Sequence, residues 1–215
     1  MKKRLLGCLM AAMVLAGCST APQKPEMAEP VLSGQALEQA WSTNHARAKS
    51  IDKWQVSGRA GVKTKAKSGV VSINWDNKPE AFSIYMSGPL GQTLARLEGE
   101  GDTVILDVPG QEPTKARTAE DLLYRQTGWW LPFSSLKYWM RGIPAPGKDY
   151  VRTLNPQGYL AELKQDGWRI VFGSYRDVSG VQLPEKIRAE RDGVSVILSI
   201  REWTLSSLNL VMNDS

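Results

Sequence analysis

The chain reads as a mainly β protein (α+β), an antiparallel sheet with only a few short helices to cover it. Three observations support that class. From Trp54 onward the apolar residues recur with a period of two, the spacing of half-buried strands. The alternating segments are joined by short turns of Gly, Pro, Asp and Asn, which leave no room for crossover helices, so neighbouring strands run antiparallel. Helical spacing shows in only two or three places.

The N-terminus comes first. Lys2-Lys3-Arg4 precedes an apolar run from Leu5 to Ala16. At roughly 12 residues it falls short of the ~20 needed to span a hydrocarbon core. A basic head, a short apolar segment and small residues before a cleavage point read as a secretory signal. Leu15-Ala16-Gly17-Cys18 resembles the lipobox of bacterial lipoproteins. In that class the Cys18 thiol takes a diacylglyceryl group, the signal is cut before it and its amine is acylated. Ser19 is not the aspartate that commonly retains such lipoproteins in the inner membrane, so the resemblance implies the periplasmic face of an outer membrane.

Processing would remove residues 1–17 and leave just under 200, enough for one domain with a sizeable core. Residues 18–33 carry Pro22, Pro25 and Pro30 among small and polar neighbours and read as the lipidated cysteine and its tether. Residues 34–215 form the domain. The net charge of +5 falls to +2 once the three basic residues of the signal are lost, so no nucleic-acid partner is indicated. With Cys8 removed and Cys18 acylated, no thiol remains for a disulfide or a metal.

Within the domain, Gln35 to Ile51 fits a helix with Ser33 as N-cap and Leu37, Ala40, Trp41, Ala48 and Ile51 on one face. His45, the one histidine, has no acid or nucleophile in register and reads as a solvated or cap-like residue rather than a catalytic one. Trp54, Val56, Gly58, Ala60 and Val62 alternate as a first strand. After a Lys-rich turn from Lys63 to Lys67, Val71, Ile73 and Trp75 form a second, and Phe82, Ile84 and Met86 a third. Ser87-Gly88-Pro89-Leu90-Gly91 is a tight turn with Leu90 near its tip, a leucine either folded onto the core or presented outward. Ala95 and Leu97 continue the sheet, Gly99 to Asp102 turn, and Val104, Leu106 and Val108 follow. Thr118, with Asp121 three residues on, opens a helix that stops at Gly128. Trp129-Trp130-Leu131-Pro132-Phe133 is the most apolar stretch of the domain. Ser134 or Ser135 then caps a short helix with Leu136, Trp139 and Met140 on one face. Strands resume at about Tyr159–Lys164, turn at Asp166-Gly167 and return through Trp168–Tyr175. Val194–Arg201 and Trp203–Leu210 close the sheet.

No nucleophile elbow, metalloprotease helix, phosphate loop or dinucleotide fingerprint is present. Glu98, Glu100, Asp102, Asp107 and Glu112 sit beside turns and strand edges, where solvation is their expected role. An antiparallel sheet has one face to bury, and all eight tryptophans follow the tether. That excess of large apolar side chains over the helices available suits either a filled core or a module that holds a lipid or peptide. A structural envelope lipoprotein and a lipid-modifying enzyme are the other readings.

The chain resembles the LolB family of outer-membrane lipoprotein receptors. The resemblance rests on the lipobox, Gly88-Pro89-Leu90-Gly91, Thr127-Gly128-Trp129-Trp130-Leu131-Pro132 with Ser135-Leu136, Trp139, Gly142 and Pro144, and Gly167-Trp168 through Gly173 and Tyr175. It implies an incomplete antiparallel β-barrel, helices across the open side and an apolar cavity. It implies a monomer without cofactor or metal that accepts acylated lipoproteins from the periplasmic carrier LolA and releases them into outer-membrane phospholipid. Leu90 then matches a protruding leucine that promotes membrane insertion, and Cys18 the acylated anchor. Alternation and helical face give the expected acyl-chain lining as Trp54, Val56, Ile73, Trp75, Phe82, Ile84, Met86, Leu97, Leu106, Trp130, Leu136, Trp139 and Met140.

Overall fold

The computed structural model describes residues 32–206, apart from Lys67 and Trp129. Cys18, the signal, most of the tether and residues 207–210 of the expected last strand lie outside the described residues.

Two short β-strands stand apart from one large sheet. In chain order the strands are β1 (Trp54–Lys63), β2 (Ser68–Asn77), β3 (Ala81–Ser87), β4 (Thr93–Glu100), β5 (Thr103–Asp107), β6 (Thr114–Ala116), β7 (Tyr150–Leu154), β8 (Leu160–Gln165), β9 (Trp168–Phe172), β10 (Tyr175–Val178), β11 (Val181–Pro184), β12 (Lys186–Arg191) and β13 (Val194–Leu205). Eleven of them hydrogen-bond in the order β6-β5-β4-β3-β2-β1-β13-β12-β9-β8-β7, and β10 pairs with β11. Every pairing is antiparallel. β6 and β7 end the order without meeting, so the sheet is open, as an incomplete barrel requires.

Among the described residues there are three helices: α1 (Gly34–Lys49), α2 (Ala119–Thr127) and α3 (Phe133–Trp139). α1 packs on β11, while α2 lies against β5, β6 and α3. None is long and apolar enough to cross a membrane. Thr118 caps α2 as its sequence indicates, its hydroxyl accepting from Asp121 N–H at 3.2 Å, and Gly128 ends it at φ 75°, a conformation only glycine adopts freely. α3 begins earlier than expected. Its N-cap is Pro132 rather than a serine, and the Ser134 N–H is taken by the Glu120 carboxylate at 2.7 Å, which ties the two helix starts together. Ser33 flanks α1 without a side-chain cap bond.

β13 is one strand where the alternation suggests two. Val196, Leu198 and Ile200 are buried at intervals of two, and then Trp203 is buried three residues on. A bulge between Ser57 and Gly58 shifts the β1–β13 register, and the extra residue moves the buried face by one. Gly58 is required there: a Cβ would lie 2.3 Å from the Ser199 carbonyl. Gly99 is a strand residue of β4 rather than part of the turn. A Cβ on it would sit 2.2 Å from the Phe82 ring, so its bareness makes room for that ring.

Two buried polar side chains fix the helices, one to the sheet and one to each other. Gln165 accepts from Trp139 Nε1 and from Ala145 N–H, each at 2.9 Å, and donates to the Ala145 and Lys148 carbonyls. Arg141, 6% exposed, donates to the carbonyls of Lys137, Ala48 and Ile51, so the end of α1 is pinned to the segment after α3.

Candidate functional site

The inner face of the sheet is built by the alternation of β1 to β5. Trp54, Val56, Ile73, Trp75, Ile84, Leu97 and Leu106 are buried there, and so are Leu136, Trp139 and Met140 of the α3 segment. Phe82 and Met86 are half-buried against the same cluster. Register sets them side by side: Val56 faces Trp75 across β1–β2, Trp75 faces Ile84 across β2–β3 and Ile84 faces Leu97 across β3–β4.

These side chains close on one another. The Trp54 ring lies 5.2 Å from that of Trp75 and 5.4 Å from that of Trp203. Phe133, the first residue of α3, reaches down to stack on Trp75 at 4.8 Å with 19° between planes, and lies 4.8 Å from Phe82. Sequence reasoning placed Phe133 in an apolar stretch without assigning it to the site. Its spacing to Leu136 and Met140, three and seven residues on, puts it on their face, but a helix start expected at Ser134 or Ser135 left it outside the helix. A second cluster joins Trp139 to Trp168 at 6.3 Å.

Trp130 is a correction. It is 46% exposed and lies in the link between α2 and α3, outside both helices, so no helical face turns it inward. The described recesses lie largely away from this cluster. One of about 450 Å³ is lined by Lys49, Lys78, Lys137, Arg141 and their neighbours, and contains none of the expected lining residues. Another of about 390 Å³ touches only Val56 and Trp75 of that set.

Two indole nitrogens, Trp75 Nε1 and Trp168 Nε1, are buried without a hydrogen-bond partner. Among the described residues no cluster of histidine, cysteine and carboxylates could hold a metal. Glu98, Glu100, Asp102, Asp107 and Glu112 are all exposed. His45 is half-buried, its ring 5.1 Å from that of Trp41 and tilted 35° to it, and burial, with Lys49 and Arg152 near, holds its imidazole below the ordinary value.

The β3–β4 connection projects from the other end of β3. Gly88 N–H donates to Gln92 O at 2.9 Å and Gly91 N–H to Gly88 O at 3.0 Å, and the Gln92 side chain accepts from Leu90 N–H at 3.1 Å. Gly91 takes φ 80°. The turn is thus tied internally while Leu90 stands 93% exposed, which settles its sequence alternatives in favour of outward presentation.

The family model for outer membrane lipoprotein LolB matches residues 52–203. The outer-membrane lipoprotein LolB of Pseudomonas aeruginosa PAO1 is 36% identical over 203 residues, 94% of this chain and 97% of the relative. That of Cellvibrio japonicus is 37% identical over 208 residues, 94% and 98% of the two chains. A putative outer membrane lipoprotein-sorting protein domain from Vibrio parahaemolyticus shares the fold, with a TM-score of 0.52 at 12% identity over 83% of this chain and 94% of that one. A DUF1329 family protein from Desulfovibrio piger does so at 0.51 and 7%, over 79% and 93%. The class is therefore that of outer-membrane, lipid-anchored proteins of lipoprotein localisation. Within it, the chain belongs to the LolB family.

Proposed function

We propose that this chain is the outer-membrane receptor that accepts lipoproteins from the soluble periplasmic carrier LolA, shields their acyl chains and inserts them into outer-membrane phospholipid. The observation that supports this most is the layer Trp54, Val56, Ile73, Trp75, Phe82, Ile84 and Met86 on an open sheet, roofed there chiefly by one ring of a seven-residue helix. Acyl chains enter this layer by displacing Phe133 from Trp75 and Phe82, with Leu97, Leu106, Leu136, Trp139 and Met140 as its further walls. Each methylene taken from water contributes about 0.8 kcal/mol, and the bilayer is the final sink. Leu90 enters the lipid surface, and Cys18 holds the domain beside it. No step needs a catalyst or cofactor, and the domain works as a monomer.

The test mixes the mature chain, with Cys18→Ser, with carrier already loaded with a lipoprotein. Native mass spectrometry then reports which protein holds the cargo. Cargo on this chain at one to one supports the receptor; cargo left on the carrier overturns it. The packed Trp75–Phe133–Phe82 cluster also fits a second reading, a structural envelope lipoprotein whose inner face is simply core. That reading expects no transfer at any ratio.

A further inference from the structure

Buried polar groups are nearly always hydrogen-bonded, because an unpaired donor forfeits its water without recompense. Trp75 breaks that rule. It is 3% exposed and its Nε1 has no partner, while other large rings of the core have none to seek or have found theirs. Trp203 Nε1 donates to the Pro184 carbonyl at 3.2 Å, Trp139 Nε1 donates to Gln165, and Phe82 and Phe133 carry no polar atom. A phenylalanine would serve a purely apolar core at position 75 without the orphaned donor. Trp75 also sits at the centre of the inner layer, between Val56 and Ile84 in register, under the ring that would have to leave for a ligand to enter.

An acyl chain in that layer brings one polar group with it. The carbonyl of its carboxylic ester needs a donor once it leaves water, and an indole N–H supplies one without adding charge. We propose that Trp75 Nε1 donates a hydrogen bond to the ester carbonyl of a bound acyl chain and so fixes how deep the chain sits. This rests on the acyl-chain reading above and adds to it a preference: ester-linked chains over ether-linked ones of equal length. Trp168 Nε1, the other unpartnered donor, belongs to the separate cluster with Trp139 and has no part in it.

The test uses the mature chain with Cys18→Ser and two pairs of probes. One pair is a synthetic lipopeptide with a diacylglyceryl cysteine and its dialkyl-ether analogue. The other is a short-chain phosphatidylcholine and its ether analogue, used below micelle formation. Wild type should bind the ester form about tenfold more tightly than the ether form, the value of one satisfied buried donor. Trp75→Phe should bring that ratio to about one, whatever it does to the affinity for the two forms together. In wild type labelled with ¹⁵N-tryptophan, the Trp75 indole proton should move further downfield on adding ester than on adding ether, because Phe133 leaves its ring in both cases but only the ester carbonyl accepts the bond, a reading that holds even if the variant folds poorly. Discrimination confined to the lipopeptide assigns the site to cargo, and discrimination confined to the phospholipid assigns it to membrane lipid. Equal binding of ester and ether by wild type, with the same shift of the indole proton for both, overturns the inference while the acyl-chain reading stands. No binding of any probe overturns both.

Discussion

Phe133 lies flat on Trp75, ring centroids 4.8 Å apart and planes 19° from parallel. It is the contact by which the α3 segment closes the inner face of β2. The rings come from distant parts of the chain, so the contact can open by moving a short helix without breaking the sheet.

Phe133→Ala should therefore do two things. Losing a buried ring should lower stability by about 3 kcal/mol in urea unfolding. The same change should raise affinity for a fluorescent fatty-acyl probe, since the protein's own ring no longer occupies the place. Weaker probe binding by a folded variant would mean that Phe133 helps to form the site rather than fill it.

Leu90→Glu changes a side chain that is 93% exposed and tied only through its backbone. Its unfolding free energy should stay within about 0.5 kcal/mol of the parent. Acceptance of cargo should be unchanged, while delivery into liposomes should fall several-fold, because a carboxylate resists entry into the bilayer. Delivery at the parent rate would exclude Leu90 as a membrane contact.

Arg141→Met should cost about 2–3 kcal/mol, because the carbonyls of Ala48, Ile51 and Lys137 lose their common donor. Hydrogen exchange should rise chiefly in the last turn of α1 and in the segment after α3. An increase spread evenly over the sheet would show that Arg141 does not act as a local clamp.

The pH dependence near neutrality should come from His45. Its folded pKa is lowered by burial first, then by Lys49 and Arg152. The unfolded chain thus takes up a proton at higher pH, and stability is lost as pH falls through the ordinary histidine range, levelling off below the folded pKa. His45→Gln should flatten that slope in urea midpoints taken from about pH 7.5 to about pH 5.5. Glu38, lowered by the hydrogen bond from Arg152, and Glu185, lowered by bonds from Ser174 and Arg176, lose their contributions only as pH falls below the ordinary carboxylate range. An unchanged slope in the variant would remove His45 as its source.

The strands that bury one face were legible from sequence. β1, β2 and β3 announce themselves through Trp54, Val56, Ile73, Trp75, Ile84 and Met86, and Asp166-Gly167 through a turn in which both residues take positive φ. β7 was not legible, because Tyr150 and Val151 on this sheet edge are both exposed and leave no alternation to read. β6 is three residues long, and its identity comes from β5. β10 and β11 are set apart by Gly173, whose N–H is drawn to the Lys186 carbonyl, so the return strand stops at Phe172 rather than Tyr175. The bulge at Gly58 divided β13 on paper because a phase slip looks like a turn. Among the expected lining residues, those on strands follow from the period of two and are buried or half-buried. Trp130 does not, since hydrophobicity alone cannot place a residue that belongs to no regular element.

A receptor that must surrender what it receives gains from holding a competitor of its own. In the reading proposed above Phe133 acts as an intramolecular ligand for the surface beneath it, already tethered where a free molecule must arrive by diffusion. In the proposed cycle its return sets an upper bound on how tightly cargo can be kept, and refills the interior as the chains depart. The empty protein then never presents its inner tryptophans to water, and each departure restores a contact in place of a void.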